Sequence, residues 1–164
     1  MRQLALMCTL AVVYLIALGA AFPVWALDSV TITETTRLSF GTVAIPASGT
    51  QYLVLNPANS VETGTGTLLF GAPSRGAYTL KSSGSGSSSI TIDIMDITTN
   101  SPYLTLNAFT GIYNGGAIAS FPSSPLSLPL ASGTILYLGA QETATAGMTP
   151  GSPNPTFNIV VTIN

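Results

Sequence analysis

The chain has 164 residues and a formal net charge of −2, and charged residues make up only 6% of it, against about 25% in an average soluble domain. Its 4 basic residues supply no positive patch to neutralise phosphates, which argues against nucleic-acid binding. Histidine is absent, so the commonest metal ligand and general base is missing.

Residues 1–26 have the pattern of a secretory signal peptide that is helical in the precursor. Arg2 is the only charge before Asp28, and residues 4–21 are uncharged and mostly apolar. The small residues Val24 and Ala26 precede a candidate cleavage site after Ala26. We therefore expect an exported protein in the periplasm, at the cell surface or outside the cell. The alternative is an uncleaved anchor, because about 18 apolar residues can span a bilayer; the chain would then contact the membrane through this segment alone.

From residue 27 onward, apolar and polar residues alternate with the period of β-strands. Turn residues such as Asn114-Gly115-Gly116 and Ala131-Ser132-Gly133 separate the alternating runs. We expect about eight to ten short strands, within residues 30–40, 52–55, 68–70, 78–80, 90–94, 103–106, 126–130, 135–138 and 157–163. The fold class that this spacing predicts is all-β, an antiparallel β-sandwich of immunoglobulin-like or pilin-like type.

The run from 82 to 89 contains only serine and glycine. It has the composition of a linker between two domains, but it is short and strands continue on both sides of it. We therefore interpret it as a loop within the sandwich, so that residues 27–164 form a single domain.

Hydroxyl side chains replace charged ones on this domain. Residues 27–164 include 18 serines and 21 threonines, which is 39 of 138 residues, but only 3 basic and 6 acidic residues. Threonine favours strands, and a Ser/Thr surface stays hydrated without the charges that usually prevent strand edges from pairing. The composition therefore favours a structural protein that associates through strand edges.

Groups for catalysis are scarce, so we expect no enzyme, no cofactor and no metal. Lys81 is the only lysine, and its neighbour Ser82 would point to the opposite face of a strand. The carboxylates of Asp93 and Asp96 likewise have opposite parities, and with Asn100 they match no EF-hand spacing. Scattered tyrosines and phenylalanines leave a carbohydrate-binding or surface-binding module as the alternative function.

Two stretches in the first half and two in the second resemble a known family. Residues 38–49, which begin Leu38-Ser39-Phe40-Gly41, and residues 53–57 are similar to the opening of the exported bacterial domain of unknown function 4402. Residues 130–140 and 157–164 are similar to its second half, although the proline-rich stretch 148–155 departs from the pattern. The resemblance implies a secreted or surface-exposed β-sandwich with some likeness to fimbrial subunits, without catalytic residues to carry over.

Candidate residues for strand association are Val30, Ile32, Leu38 and Phe40, which share one parity. In one hypothesis, residues 27–36 are a donor strand that fills a groove in a neighbouring subunit, with Val30 and Ile32 inserted. Glu34 has the same parity and argues against this, because burying an unpaired carboxylate is costly. In the other hypothesis, this segment is the domain's own first strand, with Glu34 at a bulge or an edge. The partners would be copies of the chain or other envelope or fimbrial proteins.

Overall fold

The computed structural model describes residues 28–43, 46–59, 62–65, 68–70, 72–84, 88–99, 102–147 and 156–164. The predicted signal helix, the anchor alternative and Asn100 lie outside the described residues. No helix among the described residues has the length and apolar character needed to cross a membrane.

Twelve β-strands form within the described ranges, and the predicted all-β antiparallel sandwich is confirmed. In chain order they are β1 (Val30–Thr36), β2 (Thr42–Val43), β3 (Thr50–Leu55), β4 (Glu62–Gly64), β5 (Leu68–Phe70), β6 (Gly76–Ser82), β7 (Ser89–Thr98), β8 (Leu104–Tyr113), β9 (Gly116–Ile118), β10 (Leu126–Ser127), β11 (Thr134–Thr145) and β12 (Thr156–Ile163).

The larger sheet has seven strands arranged around β11. One side of β11 pairs with β8, and β8 in turn pairs with β9. On the other side, β11 pairs first with β6 and then, beyond Gly139, with β3. The outer strands are β1, which pairs with β6, and β4, which pairs with β3.

The smaller sheet has three strands in the order β10-β7-β12. The loop before β10 extends the pairing of β7, because the Ser123 N–H donates to the Ile92 carbonyl at 2.8 Å and the Ile92 N–H donates to Ser123 Oγ at 3.0 Å. β12 runs antiparallel to β7 over most of its length. Separately, β2 and β5 form a two-stranded pair.

The core lies between these two sheets, because alternate side chains of each strand face inward. Leu80, Leu136 and Leu138 of the larger sheet are fully buried against Ile90 and Ile92 of the smaller one. A second cluster contains residues from β3, β8 and β11 and the loop after β1, namely Phe40, Leu53, Leu55, Leu106, Phe109 and Ala140. The Ser/Gly run therefore connects β6 and β7, two strands whose side chains meet in one core.

Some strands extend beyond the predicted segments. β8 continues to Tyr113 because a bulge absorbs the irregular stretch: Ala108 has a φ of +47°, and the register with β11 shifts there. Asn114 and Gly115 have φ values of +49° and +78°, the left-handed pair that closes a tight two-residue hairpin. The turn predicted at 114–116 therefore joins β8 to the short strand β9, which alternation alone did not predict.

Candidate association site

The strand edges of the sandwich differ strongly in length. β4 and β9 have three residues each and β10 has two, whereas β1 has seven and β12 has eight. Among the described residues, β1 pairs with β6 alone and β12 with β7 alone. Short strands are one way in which proteins protect their edges, so the long edges of β1 and β12 stand out as unprotected.

Charge does not protect these long edges either. β1 carries one charged residue, Glu34, and β12 carries none. Neither strand contains proline. Since charge and proline are the usual defences against edge pairing, both edges are open to another strand.

The two long edges border the same groove, which we call the edge groove. It has a volume of about 370 Å³ and is lined by Ile32, Glu34, Arg37, Leu38, Tyr78, Thr156, Phe157, Asn158 and Ile159. β1 lies at the rim of the larger sheet and β12 at the rim of the smaller sheet. The groove therefore lies between the rims of the two sheets, on the open side of the sandwich.

Apolar side chains in the edge groove remain partly exposed. Ile32 faces the groove and is 37% exposed. Phe157, Ile159, Val161 and Ile163 alternate inward along β12, yet all four are only partly buried. Inward-facing residues of a sheet are normally covered, so this side of the sandwich has the shape and chemistry to accept a further strand.

β1 is a strand of the chain's own sheet. Val30 lies opposite Ser82, Ile32 opposite Leu80 and Glu34 opposite Tyr78, and the register then shifts between Glu34 and Thr36. This is the arrangement of the second hypothesis, with Glu34 at a bulge. Of the proposed donor segment, residue 27 lies outside the described residues, and the strand from Val30 to Thr36 is already paired within its own fold.

The four candidate residues lie at different depths. Val30 and Ile32 lie on β1, Leu38 lines the edge groove, and Phe40 is buried in the second core cluster at 7% exposure. The structure brings Ile32 and Leu38 to the same groove as β12, whose residues the sequence analysis did not select. The uncharged alternation from 157 to 163, broken only by the apolar Val160, was the available signal that this strand could form an open edge.

Glu34 contacts a tyrosine hydroxyl across the strand pair. Burial raises the pKa of Tyr78 to about 12, and the negative charge and hydrogen bond of Glu34 add to the increase, while Arg37 acts in the opposite direction. The carboxylate therefore has a partner and is also exposed to solvent. This arrangement avoids the burial cost that argued against Glu34 in a donor strand.

Replacing Tyr78 by phenylalanine is expected to lower the free energy of unfolding by about 1 kcal/mol, because the hydrogen bond to Glu34 is lost. Burial holds the pKa of the Tyr78 hydroxyl in the folded chain above its usual value of 10.0, so the stability linked to Tyr78 is present below pH 10 and is lost as the pH rises through about 12. Ultraviolet titration of the folded protein should lose its phenol transition near pH 12 in this variant.

The exposed Tyr52 provides the control, since Tyr52→Phe should change stability by less than about 0.5 kcal/mol. Identical titrations of the unmodified chain and Tyr78→Phe near pH 12 would contradict the assignment.

The groups tested for catalysis do not converge. Lys81 is exposed while Ser82 is buried, as expected for neighbours on a strand. Asp93 Oδ1 accepts the Ile94 N–H at 2.8 Å, and Asp96 Oδ2 accepts the Asn158 amide at 2.8 Å. Within the part of the chain that is described, no three His, Cys, Asp or Glu side chains are grouped so as to hold a metal ion.

Glu142 is the one carboxyl group in the described ranges with a strongly raised pKa. Burial raises the pKa of Glu142 to about 7. Its Oε2 and the Oε1 of Gln51 are buried without a hydrogen-bond partner, and both side chains line one small void between β3 and β11. Because an ionised carboxylate and an amide oxygen are both acceptors, this pocket favours the protonated form of Glu142.

Several of the aromatic side chains are part of the hydrophobic core and are not available to a ligand. Tyr78, Tyr113 and Phe109 are buried, whereas Tyr52 on β3 and Tyr103 just before β8 are each 41% exposed. Tyr137 lies under the Arg75 guanidinium, whose central carbon is 3.6 Å from the ring centroid. A bound sugar would have to displace this arginine to stack on Tyr137, so the face offers no open stacking platform there.

The fold and the edge groove define an antiparallel β-sandwich with one open side. The chain belongs to the family described as Domain of unknown function (DUF4402), whose model matches residues 30–163. The resemblance inferred from the sequence segments is thereby confirmed at the level of the family. Comparisons with curated proteins and with solved structures give no match.

Proposed function

We propose that this chain is an exported, non-catalytic structural protein of the cell surface, a subunit of fimbrial or fibre type that associates through β-strand edges. The observation that carries the proposal is the contrast between edges. The edge strands β4, β9 and β10 have two or three residues each, and the unpaired side of β8 before Gly111 is broken by the bulge at Ala108. The two long, nearly uncharged edges of β1 and β12, by contrast, lie together at the edge groove.

The surface chemistry supports the same function. The outer face of β1 presents exposed threonines, and the hydroxyl groups of Thr35 and Thr79 lie 3.3 Å apart across the pair with β6. Hydroxyl groups keep this face hydrated without adding repulsive charge between neighbouring copies. The signal pattern of residues 1–26 supports export, and the scarcity of titratable groups in the sequence supports a role without catalysis.

A charge placed in the edge groove tests the proposal. The full chain, purified as exported, is expected to associate at micromolar concentration in light scattering. Ile32→Lys should make it monomeric, because association would have to desolvate an ammonium group where the unmodified chain has a partly exposed apolar side chain. The control is Ile135→Lys, since Ile135 is similarly exposed at 46% but lies on the outer face of β11.

Association that survives Ile32→Lys, or that is lost equally in Ile135→Lys, would count against the edge groove. A chain that stays monomeric at every concentration would refute edge association altogether, and the carbohydrate-binding alternative would then be tested with a glycan array.

A further inference from the structure

The backbone of β12 has hydrogen-bonding groups directed away from its own sheet. The N–H and C=O of a residue in an antiparallel strand point to the same side, and that side alternates along the strand. The Asn164 N–H donates to the Ser89 carbonyl of β7 at 2.8 Å. Even-numbered residues at this end of β12 therefore direct their backbone groups toward β7.

The hydrogen bonds on the other side of β7 show the same alternation of backbone directions. Ile92, which lies opposite Val161, directs its N–H and C=O to Ser123 rather than to β12. Ile159, Val161 and Ile163 consequently present their backbone N–H and C=O groups at the free edge. The side chains of these three residues point inward, where they pack against the first core cluster, and Ile159 also lines the edge groove.

This edge is complementary to itself. In an antiparallel pair, residues directly opposite each other share a face, so inward residues must meet inward residues. Two registers of this kind, one centred on Ile159 and one centred on Val160, overlap equally long parts of β12 with a second β12. The register centred on Val160 leaves out Thr156, which lies beyond the register shift with β7. It places Ile159 opposite Val161 and Asn158 opposite Thr162, apolar against apolar inside and polar against polar outside.

The outer face of β12 also favours the register centred on Val160. Val160 is 38% exposed although it is apolar, and in this register it would meet Val160 of the second copy on the two-fold axis. β12 carries no charge, so no like charges come together. Asp93, opposite Val160 on β7, would be separated from its symmetry mate by the two central strands.

The position of the two long edges favours a closed pair of this kind. Both border one groove on one side of the molecule, whereas head-to-tail assembly needs complementary surfaces that differ in position. β12 is also regular from Asn158 to Ile163, while β1 is interrupted by the shift after Glu34. The occupant of the edge groove that fits these observations is β12 of a second copy.

We infer that two copies pair through antiparallel β12 strands centred on Val160, joining their three-stranded sheets into one six-stranded sheet. Ile163 of the second copy then lies opposite Phe157, at the edge groove. The inference rests on the proposed function and specifies its edge. A fibre built from such dimers requires a second contact elsewhere on the surface.

A disulfide tests the register. In a Cys8→Ser background, Val160→Cys would place two cysteines opposite each other in a pair without mutual backbone hydrogen bonds, with Cα atoms about 4.5 Å apart, within the range of disulfides. Asn158→Cys is the matched control on the same face, because its two copies would lie about 13 Å apart. Val160→Cys should give a covalent dimer under oxidising conditions, and Asn158→Cys should not.

A charge variant tests the same contact without a covalent bond. Val160→Asp would align four carboxylates across the joined sheet with the two copies of Asp93, and should weaken the dimer on the order of tenfold or more, because like charges directly opposite are destabilising. Met95→Asp is the control, since Met95 is 47% exposed on β7 opposite Asn158. Circular dichroism should remain that of the folded chain in both variants.

The outcomes separate the two proposals. Association that persists in Val160→Asp, with no disulfide in Val160→Cys, overturns pairing through β12 while edge association stands. Equal disulfide formation in Asn158→Cys and Val160→Cys overturns the register. A monomer in every variant and in the unmodified chain refutes both proposals.

Discussion

Replacing Glu142 by glutamine is expected to raise the free energy of unfolding at pH 8 by about 2–3 kcal/mol, because the variant removes a carboxylate that burial makes hard to ionise. Burial raises the folded pKa of Glu142 from 4.5 to about 7. The glutamine amide also brings hydrogen-bond donors to the void that holds the unpaired Oε1 of Gln51.

The pH dependence follows from the direction of the shift. The folded chain binds the Glu142 proton more tightly than the unfolded chain, so the associated stability is complete below pH 4.5 and is lost as the pH rises to about 7. Denaturant unfolding between pH 4 and 8 should show this loss in the unmodified chain. In Glu142→Gln this contribution should be absent.

An acidic residue on the smaller sheet provides the control. Asp93→Asn also removes one negative charge, from a carboxylate that accepts the Ile94 N–H, and it reports the effect of charge removal as such. The assignment fails if Glu142→Gln is no more stable than the unmodified chain at pH 8, or if both chains lose the same stability between pH 4.5 and 7.

The alternation of side chains predicted the strands but not their partners. Phe157, Ile159 and Val161 share the inward face of β12 as the sequence indicated. The same alternation is present whether a strand pairs within its own fold or with a neighbour, which is why the sequence left two hypotheses for Val30–Thr36. In the structure this segment pairs with β6, about 50 residues away, which is the arrangement of the second hypothesis.

The candidate site was less accessible to sequence reasoning than the fold. The edge groove joins β1 to β12, which lie at opposite ends of the domain sequence, so no local motif identifies it. Glu142 lies in a stretch of β11 with polar neighbours on both sides and has no sequence pattern of a buried carboxyl. Its burial follows from pairing with Leu53 and Leu106 on either side.

Gly139→Ala is expected to lower the free energy of unfolding by about 3 kcal/mol or more, since overpacking against a rigid backbone is costly. Gly139 lies where β11 exchanges its pairing with β6 for pairing with β3. A Cβ atom added there would overlap the backbone carbonyl of Leu55 and the ring and nitrogen of Pro57. Neither obstacle is the end of a flexible side chain, so relief requires the backbone to move.

Gly116→Ala is the matched control, because the nearest atom to its added Cβ would be the Tyr113 carbonyl oxygen at 3.4 Å, an ordinary contact. Thermal and denaturant unfolding should place this variant within about 1 kcal/mol of the unmodified chain. If Gly139→Ala unfolds no more easily than Gly116→Ala, the chain after β3 does not pass as closely over β11 as the structure has it. A large loss of stability in Gly139→Ala alone would support the close passage seen in the structure. Two strands, β6 and β3, could then share one side of β11 because residue 139 is a glycine.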